Sequence, residues 1–308
     1  MIWLVVAAML PGLHWAGGLD TASRLSNAGI ERVVVTAESI AAWRDLGFSA
    51  ESDAGLVDYT EVGPPTVRME RSIAAATSVP WVEANGWNFL RGVEFAWYRD
   101  VPSGRAALAV AEAFSYGVDA VIDASPEDIT AFGKMLQFVR GIDRGPEETL
   151  ADIGFVDDGT PETLEAMKLL ERRNLLFRVV ERPDPTLDLN VQIGGEEFPR
   201  EEAANPHEFA TQVRRKLTDE RRLLRIFGSN VVLGHVTRVG DATRVHLLNY
   251  GPRGTVAGLR VRVEGAFTGA MLASFGTNDA EVVDLRVRDG GTEFTVPEIT
   301  LYAVIDLD

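Results

Sequence analysis

The spacing of hydrophobic and polar residues changes character near Gly228. Before this point, short apolar stretches alternate with segments of helical periodicity, whereas after it apolar residues recur at every second position in short segments. Period-two spacing is typical of strands with one buried face, and a spacing of about 3.6 residues is typical of helices. The pattern therefore predicts an α/β domain over residues 1–228 and a β domain over residues 229–308.

Seven strand segments are predicted in the second part of the chain, most of them separated by Gly, Asn or Asp turns. Their sequences are VVLGHVTRV, TRVHLLNY, LRVRVEG, AMLASFG, VVDLRVR, EFTVPE and LYAVIDL. Short alternating strands joined by tight turns form antiparallel sheets, and two such sheets bury their apolar faces against each other. We expect a C-terminal antiparallel β-sandwich.

Eight strand segments alternate with helical segments in the first part of the chain. The strands are LHWAG, ERVVVTA, FSAES, TVRME, PWVEAN, DAVIDA, ADIGFVDD and LLFRVVE, and the last helical segment runs from residue 205 to 228. This number of strand-helix units predicts an α/β fold of the (β/α)8-type barrel. Because the third unit is too short for a proper helix, a shortened barrel followed by a flavodoxin-like three-layer unit over residues 151–194 is the alternative.

The composition of the chain excludes several kinds of binding partner and several kinds of reaction chemistry. The chain has 308 residues, 46% of them hydrophobic and 25% charged, which is enough for two packed cores. Its net charge of -16 repels polyanions, so neither nucleic acid nor an anionic membrane surface is expected as a partner. The absence of cysteine excludes disulfides and thiolate chemistry. The four histidines lack metal-ligand spacing and no nucleotide-binding glycine motif occurs, so we predict no metal and no other cofactor.

The N-terminus carries an apolar run over residues 2–10, followed by a proline and small residues. This length matches the hydrophobic region of a signal peptide and is too short to span a bilayer. No Lys or Arg precedes the run, and a buried first strand or helix has the same pattern. We expect a secreted or periplasmic protein, with a cytoplasmic location as the alternative, and the pattern makes no prediction of oligomeric state.

One candidate site follows the predicted strand in PWVEANGWNF, where Glu83, Asn85 and Trp87 come in succession. Ligands of parallel α/β folds bind at the carboxyl ends of the strands. Carboxylates and amides bond pairs of sugar hydroxyls and an indole covers the apolar face of a pyranose, so this set predicts a carbohydrate ligand. In the alternative interpretation, Trp87 belongs to the core and Glu83 is a solvated or capping residue.

Acids at other strand ends complete the candidate chemistry. Glycoside hydrolysis needs two carboxylates roughly 5–10 Å apart on opposite sides of the bond. We predict Glu83 and Asp123 as the catalytic acid/base and the nucleophile or base, and the substrate-binding residues as Asn85, Trp87, His14 and Asp157. The pair Asp157 and Asp158 before Gly159 also fits a turn and helix N-cap.

A different kind of acid, Glu112, lies inside the apolar helical segment AALAVAEAFSYG. A buried carboxyl needs a partner, because burial without one is costly. We expect a structural pairing of Glu112 with a residue such as Arg105 or Tyr116.

The tail resembles the C-terminal β-sandwich of barrel-type glycoside hydrolases in the segments VHLLNYGP, LRVRVEG and FTVPEITLYAVIDL. Residues 141–194 look, more faintly, like the amidotransferase-like domain that follows the barrel in beta-galactosidases of the family 42 type. The resemblance implies a carbohydrate-active enzyme with two catalytic glutamates at barrel strand ends, typically one after an asparagine. In this chain Asn85 follows Glu83, the reverse order, so no catalytic residue is carried over from the family.

Two functions follow from these patterns. One is a glycoside hydrolase-like enzyme acting with paired carboxylates, and the other is a noncatalytic glycan-binding or structural protein on a degenerate glycosidase scaffold. A carboxylate pair that faces one cleft favours the enzyme. Carboxylates that are dispersed, or neutralised by arginines, favour the noncatalytic protein.

Overall fold

The fold is that of a computed structural model, which describes residues 10–71, 78–142, 145–252 and 254–308. The strands are β1 (Gly12–His14), β2 (Arg32–Val35), β3 (Ser49–Ser52), β4 (Thr60–Val62), β5 (Thr66–Arg71), β6 (Ser78–Glu83), β7 (Phe95–Tyr98), β8 (Asp119–Asp123), β9 (Glu147–Thr149), β10 (Ile153–Val156), β11 (Phe177–Val180), β12 (Leu189–Val191), β13 (Leu224–Phe227), β14 (Val232–Val239), β15 (Ala242–Asn249), β16 (Val256–Glu264), β17 (Ala270–Ser274), β18 (Val283–Arg288), β19 (Gly291–Ile299) and β20 (Tyr302–Leu307). The α-helices are α1 (Ala22–Asn27), α2 (Ile40–Asp45), α3 (Gly86–Phe89), α4 (Ala106–Ser115), α5 (Ile129–Arg140), α6 (Pro161–Arg172), α7 (Arg200–Ala203) and α8 (Pro206–Leu217).

The largest sheet of the first part is six-stranded and parallel, with the order β3-β2-β1-β8-β7-β4. On one side of β1 lie β2 and β3, and on the other lie β8, β7 and β4, so the order in the sheet follows the order in the chain once β5 and β6 are left out. Strands around a barrel have the same order. Within the described residues, however, no pairing joins β3 to β4. The α/β class with a parallel sheet is confirmed, but the described strands do not form the closed eight-stranded barrel.

Two segments predicted as barrel strands form a small sheet of their own. TVRME and PWVEAN become β5 and β6, which pair antiparallel with each other. Residues 72–77 separate the two strands, which suffices for an antiparallel connection but is too short for the crossover that parallel pairing requires. The helical segment RSIAAATS that the sequence predicts between them spans residues 71–78, and residues 72–77 of it lie outside the described part of the chain.

Two other predicted barrel strands belong to a separate parallel sheet. ADIGFVDD and LLFRVVE become β10 and β11, which join β12 in the order β11-β10-β12. The first strand of this unit is central, as at the start of a flavodoxin-like sheet. Phe155 and Val191 of the sheet are buried in one cluster with Leu170 of α6 and Phe209 of α8. The shortened body with a separate three-stranded unit therefore describes the chain better than the eight-stranded barrel.

The last helix of the first part is shorter than its sequence pattern predicts. Helix α8 ends at Leu217, and Thr218 has a left-handed backbone with a φ of 62°. The following residues form β13, which pairs antiparallel with β16. The apolar spacing of LLRIF fits a strand as well as a helix, and the partner strand decides between them.

All seven predicted tail segments form strands, β14 to β20, in two antiparallel sheets. One sheet has the order β13-β16-β19-β18, and the other has the order β17-β20-β15-β14-β9. Val236, Val245 and Ile305 from one sheet and Val261 and Phe294 from the other belong to a single buried cluster. Strands β9 and β13 precede residue 229, so the sandwich sheets draw on both parts of the chain.

Helix α4 lies where the parallel sheet and the antiparallel sheets meet. All of its residues are buried, and its apolar residues belong to one core with Leu13 and Ile122 of the parallel sheet and Tyr250 and Tyr302 of the tail. A helix that is covered on every side is apolar all round, as the segment AALAVAEAFS is with the exceptions of Glu112 and Ser115. The fold therefore places this carboxyl at the junction between the two parts of the chain.

The apolar N-terminal run falls outside the described residues except for Leu10. Among the residues that the structure describes, no helix is both long enough and apolar enough to cross a membrane. Export of the protein stays a prediction.

Candidate functional site

Glu83, Asn85 and Trp87 line one cavity of about 340 Å³. Its walls come from β5 and β6, from the start of α3 and from α6. The three residues meet there because β6 ends at Glu83 and α3 begins at Gly86, so the chain turns within two residues. The structure thus brings together the candidate residues of the PWVEANGWNF segment.

Two ion pairs lie on the wall of this cavity. Arg68 Nε is 2.6 Å from Glu83 Oε1, and Lys168 Nζ is 2.7 Å from Glu165 Oε1. All four side chains are at least one third exposed, so water and ligand groups have access to them. The wall therefore presents hydrogen-bond donors and acceptors side by side.

Two tryptophans line the same cavity and also pack against the core of the three-stranded unit. The guanidinium carbon of Arg172 lies 3.2 Å from the centroid of the Trp81 ring, and Lys168 Nζ lies 4.9 Å from that of Trp87. Cations over an indole are attracted by the negative face of its π-system. Packing and cations hold both rings in place. Trp87 both packs against the core and lines the cavity, so each of the two interpretations of the sequence is correct in part.

Asn85 is engaged with a buried carboxylate. Its backbone N–H donates to Glu112 Oε1 (2.9 Å), and its side-chain Nδ2 donates to Glu112 Oε2 (2.8 Å) and to the carbonyl of Gly63 (2.9 Å). The expected partners of Glu112 bond elsewhere: Arg105 donates to the carbonyl of Tyr250, and the Tyr116 hydroxyl to Glu171. Glu112 is buried and paired as expected, but with different residues.

Glu171, near the end of α6, lines the cavity and was not among the candidate residues. It is 8% exposed and accepts from the backbone N–H of Trp87 (3.1 Å) and the Tyr116 hydroxyl (3.3 Å). Burial, together with the negative charge of Glu112, raises the pKa of Glu171 to about 8. A Cβ on Gly86 would lie 2.3 Å from Glu171 Oε1, so this close approach requires glycine.

A signal for Glu171 was present in the sequence. It lies four residues after Met167 and one after Leu170, and both of these are fully buried on α6. An acid at that helical spacing falls on the apolar face, as Glu112 does.

Replacing Glu171 with glutamine is expected to flatten the pH dependence of stability. A carboxyl whose pKa is about 8 in the folded chain and about 4.5 in the unfolded chain binds its proton more tightly when folded. Its contribution is complete below about pH 4.5 and is lost as the pH rises through about 8. Over that range the free energy of unfolding falls by up to about 1.4 kcal/mol per pH unit.

Urea unfolding at several pH values between about 5 and 8 measures this slope. Glu165→Gln, at a half-exposed position on the same helix, is the matched control and keeps the wild-type slope. A slope in Glu171→Gln equal to that of the wild type would contradict the buried, protonated carboxyl.

A second cluster lies at the carboxyl ends of the parallel strands β1 and β8. His14 and Asp123 are register partners there, and His14 Nδ1 is 2.7 Å from Asp123 Oδ1. Asp123 also accepts from Trp97 Nε1 (2.8 Å) and from the backbone N–H of Asp100 (3.0 Å). Burial opposes ionisation of Asp123, but these hydrogen bonds outweigh it and hold the pKa of its carboxyl below the ordinary value.

The predicted catalytic pair is divided between these two clusters. Glu83 is on the β5–β6 sheet with Arg68, whereas Asp123 is on the six-stranded sheet with His14 and Trp97. The structure therefore joins Asp123 to the predicted substrate-binding residue His14, and it joins Glu83 to Asn85 and Trp87 through the cavity.

Asp157 has a bonding pattern of its own. It accepts from Arg91 Nε (2.6 Å) and from the backbone N–H of Gly159 (2.8 Å). The adjacent Asp158 accepts from the backbone N–H and the hydroxyl of Thr160, just before α6. These bonds form the turn that the sequence offered as the alternative, whereas the N-cap residue of α6 is Thr160, whose side chain makes no capping hydrogen bond. Asp157 is linked to the cavity through Arg91, whose guanidinium carbon lies 5.9 Å from the centroid of the Trp87 ring.

No protein-family model matches the chain, and no curated protein sequence matches it significantly. Its fold is similar to that of solved glycoside hydrolases. Alpha-L-fucosidase isoenzyme 2 from Paenibacillus thiaminolyticus superposes with a TM-score of 0.51 and 10% sequence identity, over 70% of this chain and 60% of that enzyme. The chain thus spans about 60% of the length of the fucosidase.

A family 42 beta-galactosidase from G. stearothermophilus superposes with a TM-score of 0.40 and 10% identity, over 93% of this chain and 61% of that one. The similarity to the fucosidase, at its low identity, concerns the fold alone. The chain has a glycosidase-like fold, with a parallel α/β part and antiparallel β-sheets.

Proposed function

We propose that this protein binds a saccharide in the cavity lined by Trp81, Trp87 and Glu83, and that Glu83 and Asp123 do not act there as a catalytic pair. The observation that carries the proposal is that the two carboxylates bond to different partners in different clusters. Glu83 is held by Arg68, and Asp123 is held by His14 and Trp97 in another cluster. Two carboxylates that lie in separate clusters, each with its own partners, suit a binding protein better than a hydrolase, which needs two of them across one bond.

The lining of the cavity suits a ligand rich in hydroxyl groups. Indole rings offer apolar contact to the C–H faces of a sugar, and the exposed ion pairs of Arg68 with Glu83 and of Lys168 with Glu165 offer donors and acceptors. Because Arg68 and Lys168 each have a carboxylate neighbour, the wall favours a neutral polar ligand over an ion. The glycosidase-like fold supports the same ligand class by analogy.

A second candidate function is hydrolysis with Glu171 as the acid. Glu171 and Glu83 line one cavity, and a pKa of about 8 keeps Glu171 protonated at neutral pH. A protonated carboxyl beside an ionised one is the arrangement that glycosidases use for acid catalysis. In this reading Glu83 is the second carboxylate.

Binding is tested by titrating the purified protein with a panel of neutral oligosaccharides in a calorimeter. Trp87→Phe, which keeps an aromatic ring in the core, is expected to weaken binding about tenfold or more, or about 1.4 kcal/mol. Trp97→Phe, in the His14 cluster, is the matched control and leaves the affinity unchanged. Absence of binding to the wild type, or equal losses in the two variants, would contradict the proposed cavity.

Turnover of aryl glycosides separates the two candidate functions. The binding proposal predicts no turnover by the wild type. Turnover that is lost in Glu83→Gln and Glu171→Gln but kept in Asp123→Asn would establish the hydrolase of the second candidate. Turnover lost in Asp123→Asn would instead support the catalytic pair predicted from the sequence.

A further inference from the structure

Three carboxylates meet between the three-stranded sheet and the sandwich, on segments far apart in the chain. Asp152 and Asp188 directly precede β10 and β12, which are paired neighbours, and Glu264 is the last residue of β16. One carboxylate oxygen from each lies within 4.8 Å of those of the other two. Asp188 and Glu264 are exposed, so the group is open to solvent on one side.

Asp152 forms the buried side of this group. It is 4% exposed, and its Oδ1 accepts from the backbone N–H of Leu223 (2.8 Å). Its Oδ2 is buried, and among the described residues no hydrogen-bond donor reaches it. A buried carboxylate oxygen without a donor is costly, so this atom calls for a positive partner.

The nearby arginines direct their hydrogen bonds elsewhere. Arg222 Nη2 donates to the carbonyl of Asn174 (2.9 Å), and Arg222 Nη1 to Asp219 (3.2 Å). Arg262 Nη2 donates to the carbonyl of Asp289 (3.0 Å). In the described part of the chain, no ion pair joins either arginine to the three acids. Their charges offset part of the negative field of the carboxylates.

We propose that Asp152, Asp188 and Glu264 bind a calcium ion at this junction. Ca²⁺ takes six to eight oxygen ligands at about 2.3–2.6 Å, so two of its ligands lie at most about 5 Å apart, which the spacing of these oxygens satisfies. Water fills the remaining positions on the exposed side. The bound ion supplies a positive partner for the buried carboxylate of Asp152 and links the three-stranded sheet to β16. It is a site separate from the Trp87 cavity.

The experiment titrates CaCl2 into the chelator-treated full chain at about pH 8, with MgCl2 in a parallel run. We expect one Ca²⁺ per chain, bound more tightly than Mg²⁺, and a higher melting temperature in millimolar CaCl2 than in NaCl of equal ionic strength. Asp188→Asn is expected to weaken Ca²⁺ binding about tenfold or more. Glu298→Gln, an exposed acid on the same sandwich sheet, is the matched control and binds as the wild type does.

Asp152→Asn separates loss of the site from loss of the fold. Without calcium this variant is expected to melt no lower than the chelated wild type, because it removes an unpaired buried charge, and calcium no longer raises its melting temperature. Absence of Ca²⁺ binding to the wild type, or equal calcium responses in Asp188→Asn and Glu298→Gln, would overturn the proposal and leave solvent as the partner of Asp152.

Discussion

Replacing Glu112 with alanine is expected to lower the free energy of unfolding by about 4 kcal/mol. The carboxylate is fully buried and accepts from the hydroxyls of Tyr98 (2.8 Å) and Tyr250 (2.6 Å) and from two N–H groups of Asn85. Burial raises its pKa although these donors oppose the rise. Alanine would leave all four donors without an acceptor inside the core and would open a cavity.

Urea unfolding of the variants measures this loss. Tyr250→Phe removes a single donor and is expected to cost about 1 kcal/mol. Glu94→Ala, at an exposed position, is the matched control and is expected to be neutral. If Glu112→Ala lost no more than Tyr250→Phe, the carboxylate would not be the common acceptor that joins β7, the start of α3 and the sandwich.

Replacing Gly133 with alanine is expected to destabilise the protein by about 3 kcal/mol or more. Gly133 lies in the interior of α5, where alanine would ordinarily stabilise a helix by about 1 kcal/mol. Here a Cβ would lie 1.9 Å from the carbonyl oxygen of Ala28, at the end of α1. The obstacle is backbone, so a side-chain rotation does not relieve the contact, and α1 and α5 have to move apart.

Thermal and urea unfolding of Gly133→Ala test this close approach. Gly55→Ala is the matched control, because nothing lies within 4 Å of a Cβ at that position. We expect the control to be neutral or slightly stabilising. A variant Gly133→Ala as stable as Gly55→Ala would show that the two helices are not in direct backbone contact.

The candidate site shows how far local patterns reach. The grouping of Glu83, Asn85 and Trp87 depends on one short turn, so a stretch of ten residues was enough to predict it. The bond between Asp123 and His14 spans more than a hundred residues and exists because β1 and β8 are neighbours. The sequence placed both residues at strand ends, but only the sheet order made them partners.

For the two buried acids, too, the sequence indicated one property and the tertiary structure decided another. The apolar neighbours of Glu112 indicated its burial, but its acceptance from Tyr98 and Tyr250 depends on α4 lying between two sheets. Glu171 has a comparable helical signal, and its pKa is raised by burial and by the charge of Glu112, which lies on another helix. Burial is readable from periodicity, whereas the identity of a partner depends on contacts between distant segments.

The sequence by itself determined the classes of element: seven alternating tail segments became seven strands, and most helical segments of the body became helices. Periodicity is local, because each residue needs only its neighbours to define a buried face. Only the tertiary structure decided which strands share a sheet. The segments TVRME, PWVEAN, ADIGFVDD and LLFRVVE lie outside the six-stranded parallel sheet, and the end of the predicted last helix forms β13. Hydrogen bonds between strands join residues far apart in the chain, so which strands pair, and therefore which carboxylates meet, is decided only when the whole core packs.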